Sequence, residues 1–529
     1  MSAATSARVL VEEISSRLAP LEQEMNLAWW AASTSVTEAK EHRRVAAEIA
    51  MSEALADREQ FARILGAFAA VDPGTDALLH RQLELLRDSC APHQIDDELR
   101  EQIITLSVEV SSTFDGFRPR LGDSSVDDNE IASILRTADD VTERKAAWEA
   151  SKQIGAVVAE RIRELAHLRN RAARELGYRD YFAMALATQE LDEAWLLALF
   201  DDIDSATRRP FTEWKNELDG QLAQRFGVHL GELRPWHYDN VFFQAPPASA
   251  SVDLDPYFVG RDLEGLTRRT FDGIGIDITS ALAASDLTPR DGKNQHAYSV
   301  SIDRGRDVRV LCNNVASEQW AETMLHEFGH CAYSLGVDRS LPWLLRTEHP
   351  SVTEGVAIFF GHLSNDPVWL ETIVGVDAGD IAALRPELDR ALRGTLLTVT
   401  RWVLVMTNFE RALYADPDGD LDTIWWDLVE RYQLLRRPDG RHAPDWAAKI
   451  HFTASPVYYQ NYLLGDLVAL QLRDTVESRF GGLVDRADVG RFLSEEVFRV
   501  GASLRWDELI ERATGHRLSA DHLADALAL

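Results

Sequence analysis

The sequence predicts a mostly α-helical protein with two lobes around a deep central cleft and one small β-sheet. Residues 1–235 alternate apolar and charged positions at helical spacing and contain few helix breakers. Alternation typical of strands is concentrated near residues 294–313. The chain has 529 residues, more than one hydrophobic core usually supports, so two lobes are expected. Turn residues separate the helices without forming a clear linker, and residues 1–529 are therefore expected to form one domain.

The composition excludes several classes of partner. The formal net charge is −31, and this charge would repel the phosphates of nucleic acids. No apolar run approaches the length that spans a membrane, and the first residues lack the pattern of a secretion signal. The three cysteines, Cys90, Cys312 and Cys331, do not suggest a disulfide framework. We expect a cytoplasmic protein that binds neither nucleic acid nor membrane and needs no protein partner.

The small sheet is predicted as a hairpin. Residues 297–302 and 308–312 have strand character, and the intervening residues 303–307 are polar and include a glycine. An exposed strand of this kind can hold an extended peptide through main-chain hydrogen bonds.

A helix is predicted for residues 317–336, because Ser317 is a good capping residue and Gly336 closes the segment. It contains His326-Glu327-Phe328-Gly329-His330. Histidines four residues apart lie one helical turn apart, roughly 6 Å between Cα atoms, so both rings can reach one ion. Glu327 can then reach a water molecule on that ion. The pattern predicts a Zn²⁺ site with its own general base.

A catalytic zinc ion takes three protein ligands and a water molecule, so a third ligand is needed. Glu354 is the best candidate. It lies 24 residues after His330, beyond a connection that contains prolines, and it begins an apolar run that predicts a second helix. A helix-loop-helix return would bring Glu354 to the open side of the ion. We expect one zinc ion per chain, held by His326, His330 and Glu354.

These motifs resemble those of the peptidyl dipeptidases similar to angiotensin-converting enzyme. That family has the same 24-residue gap between two ligands, and it has further pairs that recur here. These are Leu341-Pro342 with Arg346, His296-Ala297 thirty residues before His326, Lys449 two residues before His451, and Tyr459 three residues before Tyr462. The resemblance implies a helical zinc-peptidase fold with the sheet beside the active site. It also implies an N-terminal helical lid over roughly residues 1–120 and a zinc-site core over roughly residues 290–480.

The resemblance also implies roles for these residues. His451 and Tyr462 would donate hydrogen bonds to the oxyanion, and such donors suit a tetrahedral intermediate. Lys449 and Tyr459 would bind the C-terminal carboxylate of the substrate. The spacing from His451 to Tyr462 is one residue longer than in the family, so Tyr458 competes with Tyr459 for this role. The backbone of His296-Ala297 would bind the substrate as an added strand.

Three positions depart from the dipeptidase pattern. Asn461 stands where the family has an arginine linked to chloride activation. Ile358 stands where the family has an aspartate that orients a zinc-binding histidine, and its substitute is not evident from the sequence. No glutamine appears at residues 236–239, where the family places one that helps to bind the terminal carboxylate.

The thimet oligopeptidase and oligoendopeptidase group is the second family that the chain resembles. Its members share the fold plan and the Tyr-x-x-Tyr element, often contain His-Glu-Phe-Gly-His, and cut inside short peptides. We expect hydrolysis of short peptides with release of C-terminal dipeptides, in which Glu327 takes a proton from the zinc-activated water. Internal cleavage is the alternative, and a catalytically silent peptide-binding protein that contains zinc is the third possibility.

Overall fold

The computed structural model describes residues 3–35, 37–247, 252–294 and 296–528. Within these residues the chain is mostly helical and contains two antiparallel sheets of two strands each, which confirms the predicted mostly α class. The backbone divides into two compact units. Unit 1 comprises residues 1–94, 253–385 and 464–522, and unit 2 comprises residues 95–252, 386–463 and 523–529. The predicted lid, roughly residues 1–120, is thus divided between the two units.

The elements follow in chain order. The first segment of unit 1 contains α1 (Ala3–Thr34), α2 (Glu38–Leu55), α3 (Arg58–Ala70) and α4 (Ala77–Cys90). The first segment of unit 2 contains α5 (Asp97–Gly116), β1 (Arg120–Leu121), β2 (Ser124–Ser125), α6 (Asp128–Thr137), α7 (Val141–Ser151), α8 (Gln153–Glu175), α9 (Tyr181–Thr188) and α10 (Glu193–Phe226).

The second segment of unit 1 contains α11 (Asp255–Phe258), α12 (Leu263–Ile274), α13 (Thr279–Ala284), β3 (Tyr298–Ser301), β4 (Val308–Leu311), α14 (Glu318–Gly336), α15 (Pro350–Gly361) and α16 (Pro367–Trp369). The rest of the chain contains α17 (Ala378–Ala415), α18 (Leu421–Gln433), α19 (His451–Ala454), α20 (Gln460–Phe480), α21 (Ala487–Phe492), α22 (Trp506–Thr514) and α23 (Asp521–Ala528). Three of the five boundaries between the units fall within α17, α20 and α23.

Aspartate side chains begin many of these helices. Asp57, Asp76 and Asp96 accept backbone N–H groups at the starts of α3, α4 and α5, and Asp192 does so at α10. Such caps satisfy amide groups that have no partner within the helix. Part of the acidic character of the chain therefore serves local structure.

The α14 and α15 helices of unit 1 cross closely. A Cβ atom on Gly329 would lie 2.9 Å from the Cα atom of Ala357, so only glycine permits this approach. The end of α14 is equally tight, because a Cβ atom on Gly336 would lie 2.7 Å from the Cβ atom of Phe498. The contact at Gly329 sets the distance between the two helices that carry the predicted metal ligands.

The predicted hairpin is confirmed as the antiparallel pair of β3 and β4, with Tyr298 opposite Leu311 and Ser301 opposite Val308. No helix in the described part of the chain is long and apolar enough to cross a membrane. Cys90, Cys312 and Cys331 are all buried free thiols.

Candidate active site

The two predicted histidine ligands lie on one side of α14. The hydroxyl of Ser317 accepts a hydrogen bond from the N–H of Trp320 and begins the helix as predicted. The imidazole rings of His326 and His330 lie 4.9 Å apart, centre to centre, and are nearly perpendicular. Burial lowers the pKa of His326 to about 4 and that of His330 well below its ordinary value. Both rings are therefore neutral at neutral pH, as metal ligation requires.

Helix α15 brings the third predicted ligand to these rings. Glu354 lies in the second turn of α15, and its Oε2 atom is 3.7 Å from Nε2 of His326 and 3.9 Å from Nε2 of His330. One candidate ligand atom from each residue falls within 4.8 Å of the other two. Zinc–ligand bonds of about 2.0–2.2 Å require ligand atoms spaced in this way. The three residues fit the ligand set of a catalytic zinc site.

The hydroxyl of Thr353 contacts His330 at the ring nitrogen other than the predicted metal-binding one. The Oγ1 atom of Thr353 lies 2.8 Å from Nδ1 of His330, which leaves Nε2 directed to the side of Glu354. Such a contact orients a ligand ring and selects its tautomer. Thr353 thus occupies the role for which the sequence offered no candidate at Ile358. The sequence does show a threonine directly before Glu354. Whether its hydroxyl reaches His330, however, depends on how α14 and α15 cross.

Glu327, the predicted general base, is buried, with 8 % of its surface exposed. The backbone N–H of Ser299 in β3 donates a hydrogen bond to its carboxylate. Burial, together with the nearby carboxylates of Glu354 and Glu322, raises the pKa of Glu327 to about 8. The base therefore lies between the strand and the ligand cluster.

Two further carboxylates surround the same cluster. Burial raises the pKa of Glu322 to about 7, with Glu318 adding to the effect. Burial also raises the pKa of Asp466 to about 7, with Glu354 adding to the effect. A group of carboxylates removed from water is unfavourable unless a cation accompanies it. This charge pattern fits a bound divalent cation.

In unit 2, three aromatic side chains predicted to have roles lie together. The ring of Tyr459 is 4.9 Å from that of His451 and 5.4 Å from that of Tyr462. Burial and the charge of Lys449 lower the pKa of His451 to about 4, so its ring is neutral at neutral pH. The Nδ1 atom of His451 is buried and has no hydrogen-bond partner among the described residues.

Lys449 lies beside the same group in unit 2. Its Nζ atom donates a hydrogen bond of 2.8 Å to Oε1 of Gln244 and lies 5.8 Å from the ring centre of Tyr459. Burial lowers the pKa of Lys449 to about 8, and no carboxylate in the described part of the chain forms an ion pair with it. Its Nζ atom also lies 5.4 Å from the ring centres of Phe242 and Trp402.

Gln244 is not among the predicted site residues, because the resemblance placed the carboxylate-binding glutamine at residues 236–239. The loop that carries it is irregular: Phe243 has a φ of 50°, and the side chain of Asn240 accepts the N–H groups of Phe242 and Gln244. Nothing in the sequence indicates that this loop brings Gln244 to Lys449, 205 residues further along the chain.

The segment before Tyr462 is held by buried polar groups of unit 2. Val457 has a φ of 53°, and its N–H donates to Oε1 of Glu410 at 2.7 Å. Its carbonyl accepts hydrogen bonds from the side-chain amides of Gln189 and Gln460. Asn461 donates to Gln189 at 2.8 Å, so the residue at the chloride-linked position has a structural partner.

The remaining predicted positions belong to unit 1. The backbone N–H of His296 donates to the side chain of Asn294 at 2.9 Å, and the imidazole is exposed. Ala297 directly precedes β3. The predicted residues thus fall into one set in unit 1 and a second set in unit 2.

Comparison with known families gives two matches on different parts of the chain. The model described as angiotensin-converting enzyme matches residues 1–204, and the model described as peptidase family M3 matches residues 281–529. No curated protein matches the chain. The M3 match contains all ten predicted site residues, including the stretch whose residues resemble the dipeptidases.

The two matches confirm both resemblances that the residues indicated. Each match is to a family of zinc-dependent enzymes that hydrolyse peptide bonds. The chain is therefore an enzyme, a zinc metallopeptidase.

Proposed function

We propose that this enzyme releases C-terminal dipeptides from short peptides in the cytoplasm. The observation that carries this proposal is the pairing of Lys449 with Gln244. A partly buried ammonium group without a carboxylate partner is unfavourable unless a ligand supplies the negative charge. The C-terminal carboxylate of a peptide has that charge, and the amide of Gln244 can donate to its second oxygen.

Tyr459 is the better of the two tyrosine candidates for the same clamp. Its ring lies next to the ammonium group of Lys449, and 6 % of its surface is exposed. Tyr458 is more exposed, and since both rings lie 5.4 Å from that of Tyr462, the position next to Lys449 is what separates the two candidates. We therefore propose that Lys449, Gln244 and Tyr459 bind the C-terminal carboxylate of the substrate.

For the hydrolytic step we propose roles for the predicted metal ligands, the predicted base and the predicted oxyanion donors. His326, His330 and Glu354 would hold one zinc ion, which when bound would polarise the scissile carbonyl and acidify a water molecule. Among the described residues they are the only such cluster of histidine and acidic side chains. Glu327 accepts the proton of the attacking water and passes it to the leaving amine. His451 and Tyr462 donate hydrogen bonds to the tetrahedral oxyanion.

The substrate is proposed to bind as an extended strand along Ala297 and β3. The hydrogen bond from Ser299 to Glu327 supports this arrangement, because it joins the strand to the general base. Main-chain pairing would hold peptides of many sequences. A deep cleft under an N-terminal lid would restrict the enzyme to short peptides.

Internal cleavage is the second candidate function. The observation that favours it is the match to peptidase family M3 over residues 281–529, which include the metal ligands and the general base. Phe328 and Asn461 also suit that group better than the dipeptidases.

The test is mass spectrometry of the products from a mixed peptide library, half of it with amidated C-termini, using zinc-loaded enzyme and a chelated control. Loss of dipeptides only from free-acid peptides is the expected result. Internal cuts in free-acid and amidated peptides alike would contradict the proposal and indicate an oligoendopeptidase. Absence of any zinc-dependent cut would favour a silent peptide-binding protein.

A further inference from the structure

The two edges of the β3–β4 hairpin differ. The N–H of Ile302 donates to the carbonyl of Asp307 at 2.8 Å, so even-numbered residues of β3 face β4. In an antiparallel pair, each residue directs its N–H and its carbonyl to one side of the strand, and successive residues alternate between the two sides. Ser299 and Ser301 therefore direct theirs to the outer edge. The far edge of β4 is already occupied, because Val310 and Cys312 bond to Asp286.

The outer edge of β3 meets the general base at one point and α1 at another. Ser299 donates its N–H to Glu327. Two residues further along, the carbonyl of Ser301 accepts a hydrogen bond of 3.0 Å from the side-chain amide of Asn26, which also lies 3.4 Å from the carbonyl of Ile302. Along this edge, within unit 1, the N–H of Ser299 and the carbonyl of Ser301 are therefore already paired.

Other contacts fix α1 in this position. The ring of Trp29 stacks on that of Tyr298 at 4.3 Å between centres, with 12° between the planes. Glu22 accepts two hydrogen bonds of 2.6 Å from the guanidinium of Arg304, in the turn of the hairpin. Asn26 is one turn from each of these anchors, so the amide is held against the strand independently of its own hydrogen bond.

We propose that Asn26 ends the peptide-binding edge and limits how many substrate residues before the scissile bond can pair with β3. The inference rests on the proposed strand-like binding. An antiparallel substrate runs with its N-terminal part toward Ser301. The residue that would face Ser301 lies two positions N-terminal to the one that faces Ser299. The side-chain amide of Asn26 already donates to the carbonyl of Ser301, so a substrate residue in that place cannot donate its own N–H to this carbonyl.

The experiment uses a series of peptides with one C-terminal dipeptide, one scissile bond, and from one to six residues before it. We would measure kcat/KM for the wild-type enzyme and for Asn26→Ala and Asn26→Ser. Gln23→Ala is the matched control, because Gln23 is an exposed amide on the same helix. Thermal unfolding of each variant reports whether α1 remains docked.

For the wild type, kcat/KM is expected to rise with peptide length only until the substrate reaches Ser301. Both Asn26 variants should gain about threefold or more over the next two residues, the effect of one added main-chain hydrogen bond. Gln23→Ala should follow the wild type. Identical length profiles in folded Asn26 variants, with hydrolysis intact, would overturn this inference alone. Absence of hydrolysis at every length in the wild type would overturn the proposed function as well.

Discussion

The Nδ1 atom of His330 lies 2.8 Å from the hydroxyl of Thr353, and the next residue in the chain is the third predicted ligand, Glu354. One turn of α15 therefore carries both a predicted ligand and the hydroxyl that contacts another predicted ligand. Because Thr353 and Glu354 share a rigid helix, a shift of α15 would alter both contacts together.

Replacement of Thr353 by valine should weaken zinc binding by about 10-fold to 100-fold, because the ring of His330 loses the group that orients it. Thr353→Ser keeps the hydroxyl and should bind zinc nearly as the wild type does. Competition with a coloured chelator measures the affinity. Equal affinities of the valine variant and the wild type would remove Thr353 from the metal site.

Replacement of Glu327 by glutamine should lower turnover by about 10²-fold to 10⁴-fold, because an amide cannot accept the proton of the attacking water. The side chain still accepts the N–H of Ser299, so the fold and the zinc content should remain. His330→Ala, by contrast, should lose the metal. Metal analysis alongside steady-state kinetics separates the two effects, and full turnover by Glu327→Gln would contradict its role as the base.

Replacement of Lys449 by methionine should raise KM for free-acid peptides by about 10-fold to 100-fold, the effect of losing a charge-assisted hydrogen bond. Gln244→Leu should have a smaller effect in the same direction. Amidated peptides should be affected much less. Lys145→Met is a suitable control, since Lys145 is half exposed and lies in the same unit. Equal losses on both kinds of peptide would argue against a carboxylate clamp.

The pKa of Lys449, lowered to about 8 by burial, predicts a pH dependence. The ammonium form binds the carboxylate, and this form is lost as the pH rises through that value. The ratio of kcat/KM for free-acid over amidated peptides should then fall, by about tenfold per pH unit once well above the pKa. Lys449→Arg should move the fall to higher pH. A ratio that stays constant between pH 7 and 10 would exclude this role.

Replacement of Glu410 by alanine should lower kcat, because the N–H of Val457 loses its acceptor and the segment before Tyr462 loses its anchor. An unsatisfied buried amide also costs about 1–3 kcal/mol of folding stability. Glu410→Gln keeps an acceptor and should preserve both properties. Thermal unfolding and kcat measured on the two variants distinguish the cases, and an unchanged alanine variant would show that the segment is held elsewhere.

The sequence predicted those parts of the fold and site that depend on local geometry. Ser317 begins α14 and Gly336 is its last residue, since capping and helix ends are short-range effects. His326 and His330 share a helix face because four residues make about one turn. The hairpin followed from alternation on both sides of a polar turn.

The tertiary structure alone decided the contacts between distant segments. Thr353 meets His330, Gln244 meets Lys449, and Asn26 meets Ser301 only after helices and loops have packed. The last two pairs are separated by 205 and 275 residues, and no repeating sequence pattern connects residues so far apart. Local hydrogen bonding determines where a helix begins and which residues share its face, whereas side-chain packing between helices determines which of those faces meet.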